Sequence, residues 1–310
     1  MLTSDFVYLC PMKPLILGTA QWGWGTDRPT AFHLLEAWIK TGLREIDAAT
    51  NYPINRIPED FRASEGILKD FIDAHGLKNE LSITMKVGSM DNMRGPEINL
   101  SPSFILMMDD EYSRLFGGNL SGIMLHWDNR DNLDDIGESL NALAILNKKG
   151  IVPGLSGIQH PELYAAANAQ YGLSFDIEVK HNVFVSDLQR YAPFRTAAQL
   201  HHRFLAYGIN AGGVKLSGQY HSNSTFARRG GAHEIYAARI AGIEAALPKF
   251  NTITVRPPVI TMNQLGLLYA LVSPDIDGVL VGARTPAQIT EAVEIRENTM
   301  MFDYGDILKL

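Results

Sequence analysis

The chain has 310 residues, 46% of them hydrophobic, which is enough to bury the core of one large α/β domain. Its formal charge of −7, with no basic block, argues against nucleic acid as a partner. No apolar run approaches the ~20 residues needed to cross a bilayer, and the lone Cys10 excludes an intramolecular disulfide and a cysteine-cluster metal site. The opening MLTSDFVYLC lacks the basic and apolar regions of a signal peptide, so a reducing, cytoplasmic location is expected. Nothing in the sequence implies an oligomer.

Residues 1–13 precede the first strand and suit a hairpin closing the lower end of a barrel. The first strand is read over PLILGTA (14–20), followed by AFHLLEAWIKTG, where Phe32, Leu35, Trp38 and Ile39 share a helical face. LREIDA (43–48) is the second strand and ASEGILKDFIDAHG the second helix. LSITMKV (81–87) precedes SPSFILMMDDEYSRLFG, in which Ser101 and Pro102 read as N-cap and first helical residue. SGIMLH (121–126), the helix IGESLNALAILNKKG, GIVPGLSG (150–157) and the helix PELYAAANAQYG continue the pattern. FDIEVKHN (175–182), RFLAYG (203–208) and DGVLVGA (277–283) complete eight strands.

Strand and helix alternating eight times is the pattern of α/β architecture, and here of a single (β/α)8 TIM barrel over 1–310. An open doubly wound sheet is the alternative that the same alternation allows. Residues 209–260 are too long for an ordinary connection. They hold a basic, glycine-rich loop (Tyr220 to Gly231) and helical segments, read as an insertion over the barrel mouth.

Three strand ends carry chemistry: Asp47 in EIDAATNY with Tyr52 five residues later, Lys86 in SITMKVG, and His126 in GIMLHWD. A barrel gathers such residues at one mouth. A phenol ordinarily loses its proton at about pH 10. A neighbouring ammonium favours the phenolate, a carboxylate holds the ammonium, and an imidazole orients the acceptor. Tyr52 is then a general acid toward a carbonyl oxygen. Taken singly, Asp47 suits a loop hydrogen bond, Tyr52 a turn aromatic beside Pro53, and His126 a core histidine. Buried lysine is rare without a partner, so Lys86 is the hardest of the four to read as structural. Trp22, Trp24 and Trp127 are expected to wall the substrate pocket. His201, His202 and His221 have no convincing metal spacing.

The order and strand context of these four residues resemble the Asp–Tyr–Lys–His tetrad of the aldo-keto reductase family. The resemblance runs nearly end to end. It includes LGTAQWGWGT, Ser64–Glu65, LHWD, LAYGINAGGVKLSG and GVLVGARTPAQITEA. It implies an NADPH-dependent oxidoreductase, with NAD less favoured, that interconverts an aldehyde, ketone or sugar carbonyl with its alcohol. It further implies that Gly18, Thr19 and Ala20 touch the nicotinamide end, with Ser156 and the residue at 178 near the carboxamide. Tyr207 would stack on the ring, and the backbone at Leu216, Ser217 and Gly218 would approach the pyrophosphate. Arg284, Gln288 and Glu291 would hold the adenosine end, where a 2′-phosphate suits Arg284 beside a helix start. Thr285 to Gln288 also reads as a capping box.

The sequence departs from the family at Gly157, at Glu178 where glutamine is usual, and at Ala292. Asn182 is kept. An ionised Glu178 can only accept hydrogen bonds, and strand alternation makes Lys180 its expected neutralising neighbour. Two other functions compete with the reductase. A cofactor-binding regulatory subunit would give single-turnover oxidation only. A metal-dependent hydrolase or lyase would need a ligand cluster at the strand ends.

Overall fold

The computed structural model describes residues 12–195, 200–220, 225–228, 233–253 and 255–310 of the chain. Eight parallel strands close into a barrel: β1 (Leu15–Gly18), β2 (Glu45–Ala49), β3 (Ser82–Val87), β4 (Leu120–His126), β5 (Val152–Ser156), β6 (Asp176–Lys180), β7 (Arg203–Tyr207) and β8 (Gly278–Val281). Each strand pairs with the next, and β8 returns to β1, which removes the open-sheet alternative. The hairpin expected over 1–13 lies almost wholly outside the described residues, as do Cys10, His221 and much of the 220–231 loop.

Parallel neighbours need crossovers, and helices supply them. In order they are α1 (Arg28–Lys40), α2 (Ala63–His75), α3 (Pro102–Phe116), α4 (Leu133–Asn147), α5 (Pro161–Asn168), α6 (Ala192–Arg195), α7 (Thr225–Arg228), α8 (Ala237–Phe250), α9 (Met262–Val272) and α10 (Pro286–Met301). Local chemistry sets their ends. Asp27 caps α1 by accepting from Thr30 N at 3.0 Å, and Leu34, Leu35 and Trp38 form its buried face. The Gly76 that ends α2 sits at φ 63°, a left-handed conformation that costs glycine little. Ser101 stands at the N-cap of α3, but its hydroxyl donates to Asn99 Oδ1 (2.8 Å) instead of capping the helix.

Side chains alternate along a strand, so each strand sends every second residue into the barrel. Glu45 and Asp47, Met124 and His126, Asp176 and Glu178, and Leu205 and Tyr207 are such pairs, lining interior space at one level or the other. Barrel interiors are usually filled by branched apolar residues. Here charge enters instead. Asp47, Lys86 and Glu178 lie at the upper level, and Glu45, Asp176 and Arg203 near the lower mouth. The apolar core lies mainly between barrel and helices, with a small inner cluster of Ile16, Leu205 and Leu280.

Candidate active site

At the C-terminal ends of the strands the mouth opens into a cleft of about 680 Å³, within the usual range for a small-molecule site. Asp47, Tyr52, His126, Ser156 and Glu178 line its inner end. Arg284, Gln288 and Lys215 line it farther out. Strand register explains the convergence. Asp47 is level with Gly18, Lys86 with Ala49 and Met124, and Ser156 with both His126 and Glu178.

Lys86 is the hub. Its ammonium donates to both oxygens of Asp47 and to Glu178 Oε1 and Oε2 at 3.0 and 3.1 Å. All three groups are buried, at 1%, 3% and 4% exposure for Lys86, Asp47 and Glu178. Ser156 donates to the same Glu178 at 2.8 Å. One ammonium therefore serves two carboxylates. Burial raises the Asp47 carboxyl well above its ordinary value, and the Glu178 charge raises it further. Burial opposes the charge on Lys86, but the two carboxylates outweigh it and hold the ammonium firmly protonated. The neighbour expected for Glu178 was Lys180. Its actual partner is Lys86, 92 positions away in sequence and reached across the barrel interior.

Tyr52 lies directly above this cluster, with Lys86 Nζ 5.2 Å from its ring centre. Burial raises the phenol strongly, and Lys86 offsets only part of that. Tyr52 thus keeps its proton at neutral pH, as a proton donor must. His126 stands edge-on to Tyr52, with ring centres 6.1 Å apart. Burial first, and Lys86 second, push its imidazole well below the ordinary value, so it is neutral. Its buried Nδ1 has no hydrogen-bond partner. A proton on Nε2 leaves only a lone pair unsatisfied there, which is less costly than an orphaned N–H.

A second row of contacts fixes these groups. The Thr19 hydroxyl donates to Asp47 O (3.0 Å), and the Ser64 hydroxyl donates to Thr19 O (3.1 Å). Ser64 N donates to Tyr52 O at 3.3 Å. Thr50 donates to Lys86 O (3.1 Å) and meets the Tyr112 hydroxyl, which donates to Glu65 (2.9 Å). Thr19 is therefore buried beneath the cleft rather than in it, while Gly18 and Ala20 line it.

The three tryptophans separate. Trp127 lines the cleft at φ 60°, its ring 4.6 Å from that of His126. Trp22 is 1% exposed and packs in the main core, not in the cleft. Hydrogen bonds from Gly25 N and Thr26 N to Gln21 O close that loop on itself, which turns Trp22 inward and leaves Gln21 toward the cleft. Trp24 likewise lies off the cleft wall. Trp127 also explains Gly157. A Cβ at Gly157 would stand 2.5 Å from Trp127 Cδ1, so the indole occupies the space a side chain there would need.

The outer end differs in detail from expectation. Gly212 and Gly213, at φ 81° and 101°, line the cleft with Lys215. Leu216, Ser217 and Gly218 do not. Leu216 packs against apolar neighbours, and Gly218 lies against His233. The pair of glycines following Asn210 was the available signal. Gln288 does not complete a capping box: its Oε1 accepts from Arg284 N at 2.7 Å, one residue before the cap Thr285. The complete box is at Thr261 and Gln264. Glu291 accepts from Asn263 and Gln264, each at 3.0 Å, so it joins α9 to α10 behind the cleft. Asn182 is consumed by Gly208 O, Phe184 N and Val185 N. Ala292 is buried core. Tyr207 ends β7 with its ring on the cleft.

Among the described residues, no group of three or more His, Cys, Asp or Glu is arranged to hold a metal ion. No helix among them is long and apolar enough to cross a membrane. Over 79 residues the chain is 35% identical to an uncharacterized 11.2 kDa protein in the crtE 3′ region of Pseudescherichia vulneris, covering 25% of this chain and 77% of that one. The Aldo/keto reductase family model matches residues 14–303, nearly the whole chain and every strand of the barrel. The chain therefore belongs to the aldo/keto reductase family, oxidoreductases that act on small carbonyl compounds.

Proposed function

We propose that this protein is an NADP-dependent oxidoreductase that interconverts an aldehyde, ketone or sugar carbonyl with its alcohol, using Tyr52 as proton donor. The observation that carries the reading is a protonated phenol facing a cleft, flanked by a neutral imidazole and backed by a buried ammonium.

The cleft suits a nicotinamide dinucleotide. Its outer end presents the cations Arg284 and Lys215, and backbone at Gly212 and Gly282, where a Cβ would meet nothing within 4 Å. That is open approach for a phosphate chain. Arg284, Gln288 and Lys215 would hold the anionic end. Tyr207, Ser156 and the backbone of Gly18 and Ala20 would hold the nicotinamide end. When bound, the cofactor supplies the hydride. Everything else falls to the protein. His126, with its proton on Nε2, donates to the carbonyl oxygen and orients it. Tyr52 gives that oxygen its proton as charge develops there. Lys86 is covered by Tyr52 and acts through it rather than on substrate. Trp127 supplies an apolar wall beside the reacting carbon.

The test is a panel of aldehydes, ketones and sugars with NADPH, followed by cofactor absorbance, beside a binding titration. Trp127 in the cleft makes tryptophan fluorescence the binding signal. Tyr52→Phe is expected to lose about 10²–10⁴-fold in kcat while cofactor affinity is retained. Absence of binding by either nicotinamide cofactor would overturn the proposal. Binding with a single turnover only would indicate a cofactor-binding regulatory subunit.

A further inference from the structure

We propose that Asp47 and Glu178 act as a proton-sharing pair on Lys86, taking up the proton that alcohol oxidation releases and returning it in the reverse direction. Asp47 and Lys86 belong to the tetrad; Glu178 is the member that gives the pair this capacity. The inference rests on the proposed nicotinamide cofactor and adds a charge-balancing group to it.

The geometry has three parts. First, the cluster holds one cation and two carboxylates, all nearly solvent-free. With both carboxylates ionised it carries a charge of −1, which is costly in a buried site. With one protonated it is neutral. Second, Asp47 and Glu178 both line the cleft where the reacting ring would lie. Third, the same two residues also line a second cavity of about 70 Å³ beneath them, with Thr84, Ser82 and Ser121 at its sides. The carboxylates and hydroxyls on its otherwise apolar wall give water in a cavity of that size polar partners. The pair therefore reaches water from below when ligands fill the cleft above.

The other charged and titratable groups around Glu178 do not remove this −1. On β3 and β2 it meets Lys86 and Asp47, already counted. On β5 it meets the neutral Ser156. His126 at the end of β4 is neutral. The phenols of Tyr52, Tyr191 and Tyr207 are all held protonated by burial. On its own strand, Asp176 is paired with Arg203 of β7, and Lys180 is only partly buried at the rim. Glu45 of β2 lines the lower cavity, where burial raises its carboxyl.

The charges then balance through the reaction. Oxidation of an alcohol removes a hydride from carbon and a proton from oxygen. The hydride's electron pair reduces the nicotinamide, whose ring charge falls from +1 to 0. Lys86 gives one ammonium proton to the carboxylate pair as it takes the proton of Tyr52, and Tyr52 in the same movement takes the proton of the alcohol. Tyr52 and Lys86 end unchanged, and the pair rises from −1 to neutral with its own ammonium. The buried site is neutral before and after. A glutamine at 178 would leave the site at +1 with the oxidised ring, and Asp47 could take the proton only by leaving Lys86 without a counter-charge.

The test is binding of NADP⁺ and NADPH to the intact protein, by calorimetry in buffers of different ionisation enthalpy. Near neutral pH the wild type is expected to hold about one more proton when NADPH is bound than when NADP⁺ is bound. Equivalently, the ratio Kd(NADPH)/Kd(NADP⁺) rises about tenfold per pH unit through that window, because the ionised pair favours the positive ring. Glu178→Gln is expected to abolish both the proton difference and the slope. The wild-type count stands by itself if that variant fails to fold. Binding of both cofactors with equal proton counts would overturn the inference while leaving the proposed function intact. Binding of neither would overturn the function itself.

Discussion

At the residue scale, the proposed choice of NADP over NAD rests on the outer end of the cleft. Arg284 has its backbone N–H fixed by Gln288 and its guanidinium within reach of Gly25 O at 3.3 Å. It stands immediately before Thr285, the cap of α10, where the positive end of the helix dipole favours an anion. A charge-assisted bond from Arg284 to a 2′-phosphate contributes roughly 1.5–3 kcal/mol, or about 10–100-fold, with salt screening favouring the lower end at this exposed site. Arg284→Ala is expected to weaken NADPH by about that factor and to leave NADH nearly untouched. Parallel titrations with the two cofactors measure it, and an equal loss for both would detach Arg284 from the 2′-phosphate. This residue was readable from sequence because its signal is local: an arginine directly ahead of Thr-Pro at a helix start. The partner of Glu178 was not, because strand alternation points to Lys180 and is silent about what lies across a barrel.

At the element scale, the tetrad is held by the seam between β3, α2 and α3 rather than by its own strands alone. Thr50, Tyr112, Glu65 and Arg62 form a continuous chain behind Lys86, from the Lys86 carbonyl outward to Glu111. Tyr112 is fully buried, so its hydroxyl cannot exchange these partners for water. Tyr112→Phe leaves the buried Glu65 Oε2 without the hydroxyl that donates to it and breaks the contact with Thr50, a loss of about 1–3 kcal/mol. The urea midpoint should fall by that free energy divided by the slope m, with m itself unchanged. Because the chain bears on Lys86 and not on the outer cleft, kcat should fall while the cofactor Kd stays put. An unchanged midpoint would mean the hydroxyl contributes nothing to the seam. The helices themselves were legible from periodicity, and Ser64 at the start of α2 was noticed. Its bonds to Thr19 and Tyr52 were not legible, since they join segments brought together only when the barrel closes. The same holds for Trp22. It was expected on the pocket wall, yet the closed turn around Gln21 sends the indole into the core.

At the scale of the whole molecule, all eight strands were visible because a parallel barrel buries every strand on both faces, leaving short apolar runs between helices. Polar residues inside those runs were the readable exceptions. They marked the charged interior, and that interior gives folding a pH dependence of its own. Burial keeps His126 neutral, while the unfolded imidazole takes a proton at its ordinary value of 6.5. As pH falls through 6.5 the unfolded state binds the extra proton, so this group destabilises the fold by up to about 1.4 kcal/mol per pH unit. Asp47 works in the opposite sense. Its raised folded pKa contributes stability that is fully present below its ordinary 3.8 and is lost as pH rises toward the folded value. Between these limits the two slopes oppose each other, and a single pH profile of the wild type cannot separate them. His126→Asn separates them, because it removes one titration and leaves Asp47 and Glu178 on Lys86. Urea midpoints for both proteins between about pH 8 and pH 5 should show the variant less stable at the alkaline end, through lost packing. The gap should then narrow by about 1.4 kcal/mol per unit below pH 6.5. Parallel curves would mean that the imidazole titrates alike in the folded and unfolded chains, and that His126 is not held neutral beside Lys86.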